Sequence, residues 1–492
     1  MYILELFYFI LFLLAFRYLR VLQLENMPKW VMPSAFSLKV IVGVLFLVIY
    51  MKPDNNNNIP SDSMRYMSES KQLYDIANVS LTDYVTLLSG IGEDKVLIKK
   101  YLGNTFLWDS SDDKIINDAR NTIRLHSLIH FLSHGSPFIH MLIMCIFSLI
   151  GFKNIFISIL PYTKLKPILF FSVLLILPST LFWTSGILKE PTVILGIGLF
   201  FRTLFIKENV IKKILYGVIS IFILIIIKPY LLACLLLSLL FIFLYKLFNK
   251  KTFLSLLVFS MILSAYPLIF RSRTKLLIRH LTITQFNFDH IGKGGLFVKS
   301  DNNLLYHFEV NQFKNLKINR KDSIVELIHP SFAIEIFLRN KFPSRKCYLT
   351  PKSEKWKIFY LVNGAISYIK TTPINRSGIQ LVKNIPEALI NSYARPFPND
   401  PGSSLRFPAM FEVWILSFIV LFSIKNRRKI NKEEQGLIIS LLIFAISLLL
   451  LIGWTTPVIG AIFRYRFPAQ LALLIICCIL IKSDLFIKKQ IL

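Results

Sequence analysis

Lys189 and Glu190 stand side by side in the stretch Pro178-Ser-Thr-Leu-Phe-Trp-Thr-Ser-Gly-Ile-Leu-Lys-Glu-Pro191, at the turn between two apolar runs. A charged turn between runs able to enter a bilayer is costly unless it faces water or a polar ligand. It marks either a working site at the membrane edge or a solvated loop with an interfacial Trp and a surface ion pair. In the first case Lys189 binds phosphate, and Glu190 also caps the following helix at its positive end. Arg464 and Arg466, in Arg464-Tyr465-Arg466-Phe467-Pro468, open the last apolar run. Guanidinium holds phosphate through two parallel hydrogen bonds, so an Arg-x-Arg suits a lipid diphosphate, and snorkelling to headgroups is the alternative.

Asp62 comes shortly after the second apolar run, in Ser61-Asp62-Ser63-Met64-Arg65-Tyr66. A carboxylate close to the membrane surface can take the proton of an acceptor hydroxyl or orient it, with Arg65 and Tyr66 beside it as substrate ligands. The same Ser-Asp pair is a helix start, and the two roles are compatible. Arg124, His126, His130 and His134 lie on Arg-Leu-His-Ser-Leu-Ile-His-Phe-Leu-Ser-His, with the histidines four apart on one helical face. Such a stripe can hold a metal or contact phosphate. No acidic residue shares it, so a polar interfacial face is expected rather than a metal site. Arg395, near the end of the amphipathic segment 383–398 that prolines stop, is expected just above the bilayer as a substrate or phosphate ligand. Glu412 falls about one turn inside the next apolar run, where an ionisable residue is a site hypothesis by default. A structural ion pair with Arg395 or Arg406 is the competing reading.

The chain that must position these residues has 492 of them, 54% hydrophobic, with a mean hydropathy of +0.58. That excludes a soluble domain. The net charge is +29. Part of it is the positive-inside signal, and the rest suits anionic lipid headgroups or phosphates. Nucleic acid is not an expected partner, because no recognised binding motif or compact basic helix is present. Of five cysteines only Cys347 lies in a polar stretch, so there is no disulfide framework, and no Cys-x-x-Cys metal motif exists. The N-terminal apolar run has no basic segment before it and reads as a retained span.

Apolar runs and flanking Lys/Arg give about eleven spans: 2–19, 38–51, 137–152, 167–183, 191–206, 214–227, 230–245, 253–270, 407–424, 436–453 and 459–481. Arg17, Arg20, Lys29 and Lys39 mark the first cytoplasmic turn, and Lys425, Arg427, Arg428, Lys429 and Lys432 the strongest one. Short basic loops then put both long polar stretches on the outer side. The expected fold is an all-α polytopic membrane protein with two structured extracytoplasmic loops, the second holding a small β element. Its parts are an N-terminal pair (1–51), a first outer loop (52–124), a central bundle (125–270), a second outer loop (271–405) and C-terminal helices (406–492). In the first loop, 66–88 has helical apolar spacing. In the second, Gly295-Leu-Phe-Val-Lys and Leu304-Leu-Tyr-His-Phe flank Asp301-Asn-Asn, a hairpin signal. The stretch 356–369 is apolar but too short to span, and belongs on the membrane surface or in a small core. Loop 52–124 holds 11 of the 28 acidic residues, and 271–405 holds 21 basic and 9 acidic ones. Carboxylates from one loop and cations from the other could form a single site.

The chain resembles the integral-membrane GT-C glycosyltransferase superfamily and its bacterial polysaccharide-polymerase-like relatives. The resemblance rests on Asp62 to Tyr66, on Phe182-Trp-Thr-Ser-Gly-Ile-Leu-Lys-Glu190 and on Phe463-Arg-Tyr-Arg-Phe-Pro468. It implies a polyprenyl-phosphate-linked sugar donor, an active site on the outer face of a bacterial inner membrane, and an inverting transfer. It makes Asp62 the acceptor-side carboxylate and Lys189, Arg464 and Arg466 phosphate ligands. The chain departs from the pattern in two ways. Its acidic loop follows the second span rather than the first, and Glu93-Asp94 and Asp112-Asp113 are adjacent where a paired Asp/Glu-x-Asp/Glu would stand. No cofactor is expected, and the departures leave a divalent metal open. An O-antigen-type polymerase or ligase, a flippase or transporter of lipid-linked oligosaccharide, and a non-enzymatic assembly subunit are the alternatives. The missing internal repeat and the long second loop count against a transporter.

Overall fold

The computed structural model describes residues 2–25, 27–51, 61–103, 105, 108, 117–299, 305–319, 324–328, 332–337, 345–349, 356–362 and 364–482. The chain is mostly helical, and among the described residues seven helices are long and apolar enough to cross a membrane. They are Val31–Tyr50, Pro137–Tyr162, Val210–Ile227, Pro229–Leu247, Thr252–Ile269, Arg406–Lys425 and Lys432–Thr455. An eighth crossing results if Ile459–Tyr465 and Phe467–Leu480, bent by 50° at their junction, count as one span. Pro468 enforces that break, since it lacks an N–H and its ring clashes with the preceding turn. The remaining apolar runs also fold as helices but are shorter. Tyr2–Tyr18 has 17 residues and Glu190–Phe205 has 16, while the run 167–183 splits at Pro178 into Pro167–Ile176 and Pro178–Trp183.

Lys39 is not at a cytoplasmic turn. The second span starts at Val31, well before hydropathy suggested, so Lys39 falls inside the helix. It is fully buried, donates from Nζ to Thr184 Oγ1 at 2.8 Å and sits 5.5 Å from the centre of the Phe152 ring.

The helix Glu190–Phe205 packs closely on Pro137–Ile159 because glycines face each other. A Cβ on Gly198 would overlap the Gly151 carbonyl, and one on Gly151 would overlap the Ile194 carbonyl. Small residues at such crossings let helix backbones approach. Gly151→Val is therefore expected to lose about 3 kcal/mol of stability through overpacking. Thermal unfolding of purified protein checks this, and an unchanged midpoint refutes the close crossing.

The described residues between 62 and 133 include the helices Asp62–Ala77, Leu81–Ser89, Lys95–Leu102 and Asp118–Ser133. Their polar N-caps are visible in the sequence: Ser61 accepts from the Met64 N–H, Ser80 from Asp83 and Asp94 from Leu97. Tyr66, Leu73, Tyr84, Leu87, Trp108 and Ile123 bury a small core that joins the bundle at Phe46 and Leu188. The helix Asp62–Ala77 is thereby held against the turn before Glu190.

The β element is larger than one hairpin. Strands β1 (Gly295–Lys299), β2 (Leu305–Phe308), β3 (Leu316–Asn319), β4 (Ile324–Leu327), β5 (Phe332–Phe337), β6 (Arg345–Leu349) and β7 (Trp356–Val362) form one antiparallel sheet in the order β3-β4-β7-β1-β2-β5-β6. The β1–β2 hairpin pairs Leu296 with Phe308, while its Asp301-Asn-Asn turn lies outside the described residues. The apolar stretch 356–369 supplies β7, a strand interior to the sheet rather than a membrane-surface segment. Its Trp, Ile, Phe, Tyr and Val are strand-forming types. Beyond it, Ile369 N–H donates to Pro457 O at 2.7 Å, and Tyr368 bridges to Val458. These contacts tie the sheet's exit to the start of the bent helix pair.

Candidate functional site

Three separate elements deliver the central charges. Asp62 is the first residue of its helix, placed by the Ser61 cap, whose hydroxyl also donates to Tyr50 O at 2.6 Å. Glu190 opens Glu190–Phe205, with Pro191 in the next position, where a proline is well tolerated. Arg464 lies in the last turn of Ile459–Tyr465, just before the bend. The Arg464 guanidinium donates from Nη1 to Asp62 Oδ2 at 2.7 Å and from Nε to Glu190 Oε1 at 2.8 Å. Lys228 Nζ reaches the same Glu190 oxygen at 3.0 Å and lies 4.6 Å from the Tyr465 ring centre. Beside this chain, Lys189 Nζ donates to Asp118 Oδ2 at 2.5 Å and sits over the Tyr66 ring.

The chain of charges runs from fully buried to half-exposed. The Glu190 side chain is 0% exposed, Arg464 is 12% exposed and Asp62 is 47% exposed. A carboxylate this buried is tolerated because two cations hold it. Asp62 sits in a different balance. Partial burial works to raise its carboxyl, but Arg464, then Lys189 and Arg65, outweigh it and hold the group below the usual carboxylate range. Burial lifts the Tyr66 hydroxyl well above its ordinary value, so it stays protonated. Asp62, Arg464, Glu190, Lys228, Lys189 and Asp118 together balance in charge. An incoming anion must therefore take the place of a carboxylate, and the exposed ones are Asp62 and Asp118, whose side chain is 51% exposed.

A cavity of about 800 Å³ meets this cluster, with Asp62 and Arg464 in its wall. The rest of the lining is mostly apolar: Leu45, Phe46 and Ile49 from Val31–Tyr50, Phe182 and Trp183, and Ile459 and Phe463. Glu412, Ser179 and Arg406 add polar groups elsewhere on it. Leu45 and Ile49 are exposed as well as lining, so this wall meets the outer surface of the helix bundle.

The other expected site residues are placed differently. Arg466 is fully buried and turns away from Arg464, donating from Nη1 to the carbonyls of Ser392 and Arg395 at 3.0 and 2.6 Å. The helix breaks between residues 465 and 467, which separates the two arginines. Arg395 binds Asn391 Oδ1 and the Asp400 carboxylate. Arg124 joins Arg120 on the buried Glu93 carboxylate, at 3.0 Å each, with Trp108 beside them. Arg65 acts on Asp62 through space. Glu412 pairs with neither Arg395 nor Arg406. It accepts from the Ser179 N–H at 2.7 Å and the Ser179 hydroxyl at 2.5 Å.

The histidine stripe breaks up in the same way. His126 shares a proton with His140 across 2.9 Å, His130 meets Ser70 Oγ at 2.9 Å, and His134 caps its helix in a left-handed conformation. Burial, then His130, pushes His126 down to about 3, so it is neutral and structural. Among the described residues no group of three His, Cys, Asp or Glu side chains could hold a metal ion.

Lys228 and Asp118 belong to the charge cluster and were not singled out in the sequence. Lys228 had a readable signal. It is a lone lysine before Pro229, between two apolar runs and apart from the lysine clusters at 212–213 and 246–251. No family model, curated protein or solved structure matches the chain.

Proposed function

We propose that the protein is a membrane glycosyltransferase acting on polyprenyl-phosphate-linked sugars or glycans at the outer face of a bacterial cytoplasmic membrane, in surface polysaccharide assembly. One observation carries the reading: a large, mostly apolar cavity has a largely buried arginine in its wall, held between two carboxylates of which one is half-exposed. An isoprenoid chain needs apolar walls and a way in from the membrane, and the exposed edge at Leu45 and Ile49 offers both. A phosphate needs a fork of donors. Among the described residues one Nη of Arg464 has no partner, and the guanidinium gains a second free Nη when Asp62 leaves. Glu190 keeps the guanidinium in place during that exchange. Lys189 adds a second cation to the leaving phosphate, which loses its sugar as negative charge grows on its oxygen.

Asp62 then competes with the ligand for Arg464. Asp62→Asn is expected to tighten polyprenyl phosphate binding several-fold, because the amide releases the guanidinium. Titration of nanodisc-reconstituted protein by native mass spectrometry reads this, and weaker binding by the variant refutes the competition. The pathway is tested by deleting the gene. Lipid-linked intermediates are expected to accumulate while surface glycan falls. Unchanged glycan with no accumulation ends the enzyme reading.

A further inference from the structure

The same cavity holds a second carboxylate, and its surroundings differ from those of Asp62. Glu412 lies inside the helix Arg406–Lys425 and is 4% exposed. Its oxygens accept from the N–H and the hydroxyl of Ser179, which is itself buried and lines the cavity. Ser179 Oγ also lies 3.2 Å from the side-chain amide of Gln470. The hydroxyl has one proton, and Glu412 Oε1 is a nearer acceptor for it than Gln470 Oε1. Among the described residues no lysine or arginine is within ion-pair distance of Glu412. Arg466 influences it through space while its own hydrogen bonds go to backbone carbonyls. An unpaired carboxylate inside a membrane helix is expensive to keep unless it has a task.

We propose that Glu412 and Ser179 form the acceptor-hydroxyl subsite of this cavity, with Glu412 as the group that takes the proton. The inference rests on the lipid-phosphate reading of Arg464. Asp62 stands on the donor side: it is bound to the Arg464 guanidinium, and once a phosphate displaces it Lys189 and Arg65 still hold its carboxyl down and make it a weak base. Among the described residues no cation holds Glu412, so none has to leave before it accepts a proton. In the step, the acceptor O–H gives its proton to Glu412 and its oxygen forms a bond to the sugar anomeric carbon. The bond from that carbon to the phosphate oxygen breaks, and the electron pair leaves with the polyprenyl phosphate at Arg464. Glu412 then returns the proton to the departing phosphate or to water, which restores the site.

Glu412→Gln is the direct test, because the amide can still accept from the Ser179 N–H and donate to its hydroxyl. The variant is expected to bind polyprenyl phosphate as the wild type does. In a deletion strain it should cut surface-glycan formation by a factor of about 100 or more, the usual contribution of a positioned base, while the lipid-linked donor accumulates. Ser179→Ala, which keeps the backbone N–H, is expected to cut it by roughly tenfold, the size of one lost hydrogen bond to a charged group. Glu412→Gln supporting normal glycan at normal protein level overturns the assignment. So does loss of polyprenyl phosphate binding by the variant, since it would place Glu412 on the donor side. A wild-type protein that fails to bind polyprenyl phosphate overturns the donor reading itself and this subsite with it.

Discussion

Arg464→Ala is expected to weaken polyprenyl phosphate binding by about 100-fold, the scale on which truncating one partner of a buried, hydrogen-bonded charge pair is felt. The loss should be confined to ligands with a phosphate, so the parent polyprenol should bind wild type and variant alike. Titration of both lipids against nanodisc-reconstituted protein separates the two contributions. The fold should survive, because Glu190 retains Lys228 and Asp62 is half-exposed to solvent. Arg464→Lys should recover little, since an ammonium cannot reach Asp62 and Glu190 together through a planar fork. A variant that binds the phosphorylated lipid as tightly as wild type does would remove the arginine from the donor site and leave the cavity without its anion-holding end.

How far the sequence reached can be judged on the same residues. Hydropathy located the helices, because an apolar run long enough to cross a membrane has few other ways to satisfy its backbone. It misplaced Lys39, whose single charge looked like a flank but is buried against Thr184. Asp62, Glu190 and Arg464 could be chosen by type and by their closeness to apolar runs, and the structure joins all three through one guanidinium. Arg466 was chosen on the same grounds and lies elsewhere, because the direction of a side chain depends on where the helix breaks. Long-range partners were beyond reach. The distance of 233 positions between Ser179 and Glu412 leaves no trace in local pattern, and neither does the 38 between Lys228 and Glu190. The sheet illustrates a different gap. One hairpin was readable from its turn, but strands paired out of chain order, such as β1 with β7, are set by tertiary packing.

Glu190 should be the most sensitive position in the cluster for stability. Its carboxylate is fully buried, and a single oxygen receives both Arg464 and Lys228. Glu190→Ala leaves Lys228, with a side chain only 5% exposed, facing Arg464 with no anion between them. Removing one partner of a buried pair costs about 3 to 5 kcal/mol, chiefly because the remaining charge stays desolvated. Lys228→Met should cost less, since Glu190 keeps Arg464 and the methionine fills the volume. The double variant Glu190→Ala with Lys228→Met should be more stable than Glu190→Ala alone, because the stranded ammonium is gone. Thermal unfolding of the three variants in one detergent measures that coupling directly. If the double variant is no more stable than Glu190→Ala, then Lys228 is solvated by some other route and the buried chain of charges is not what holds Arg464 at the cavity wall.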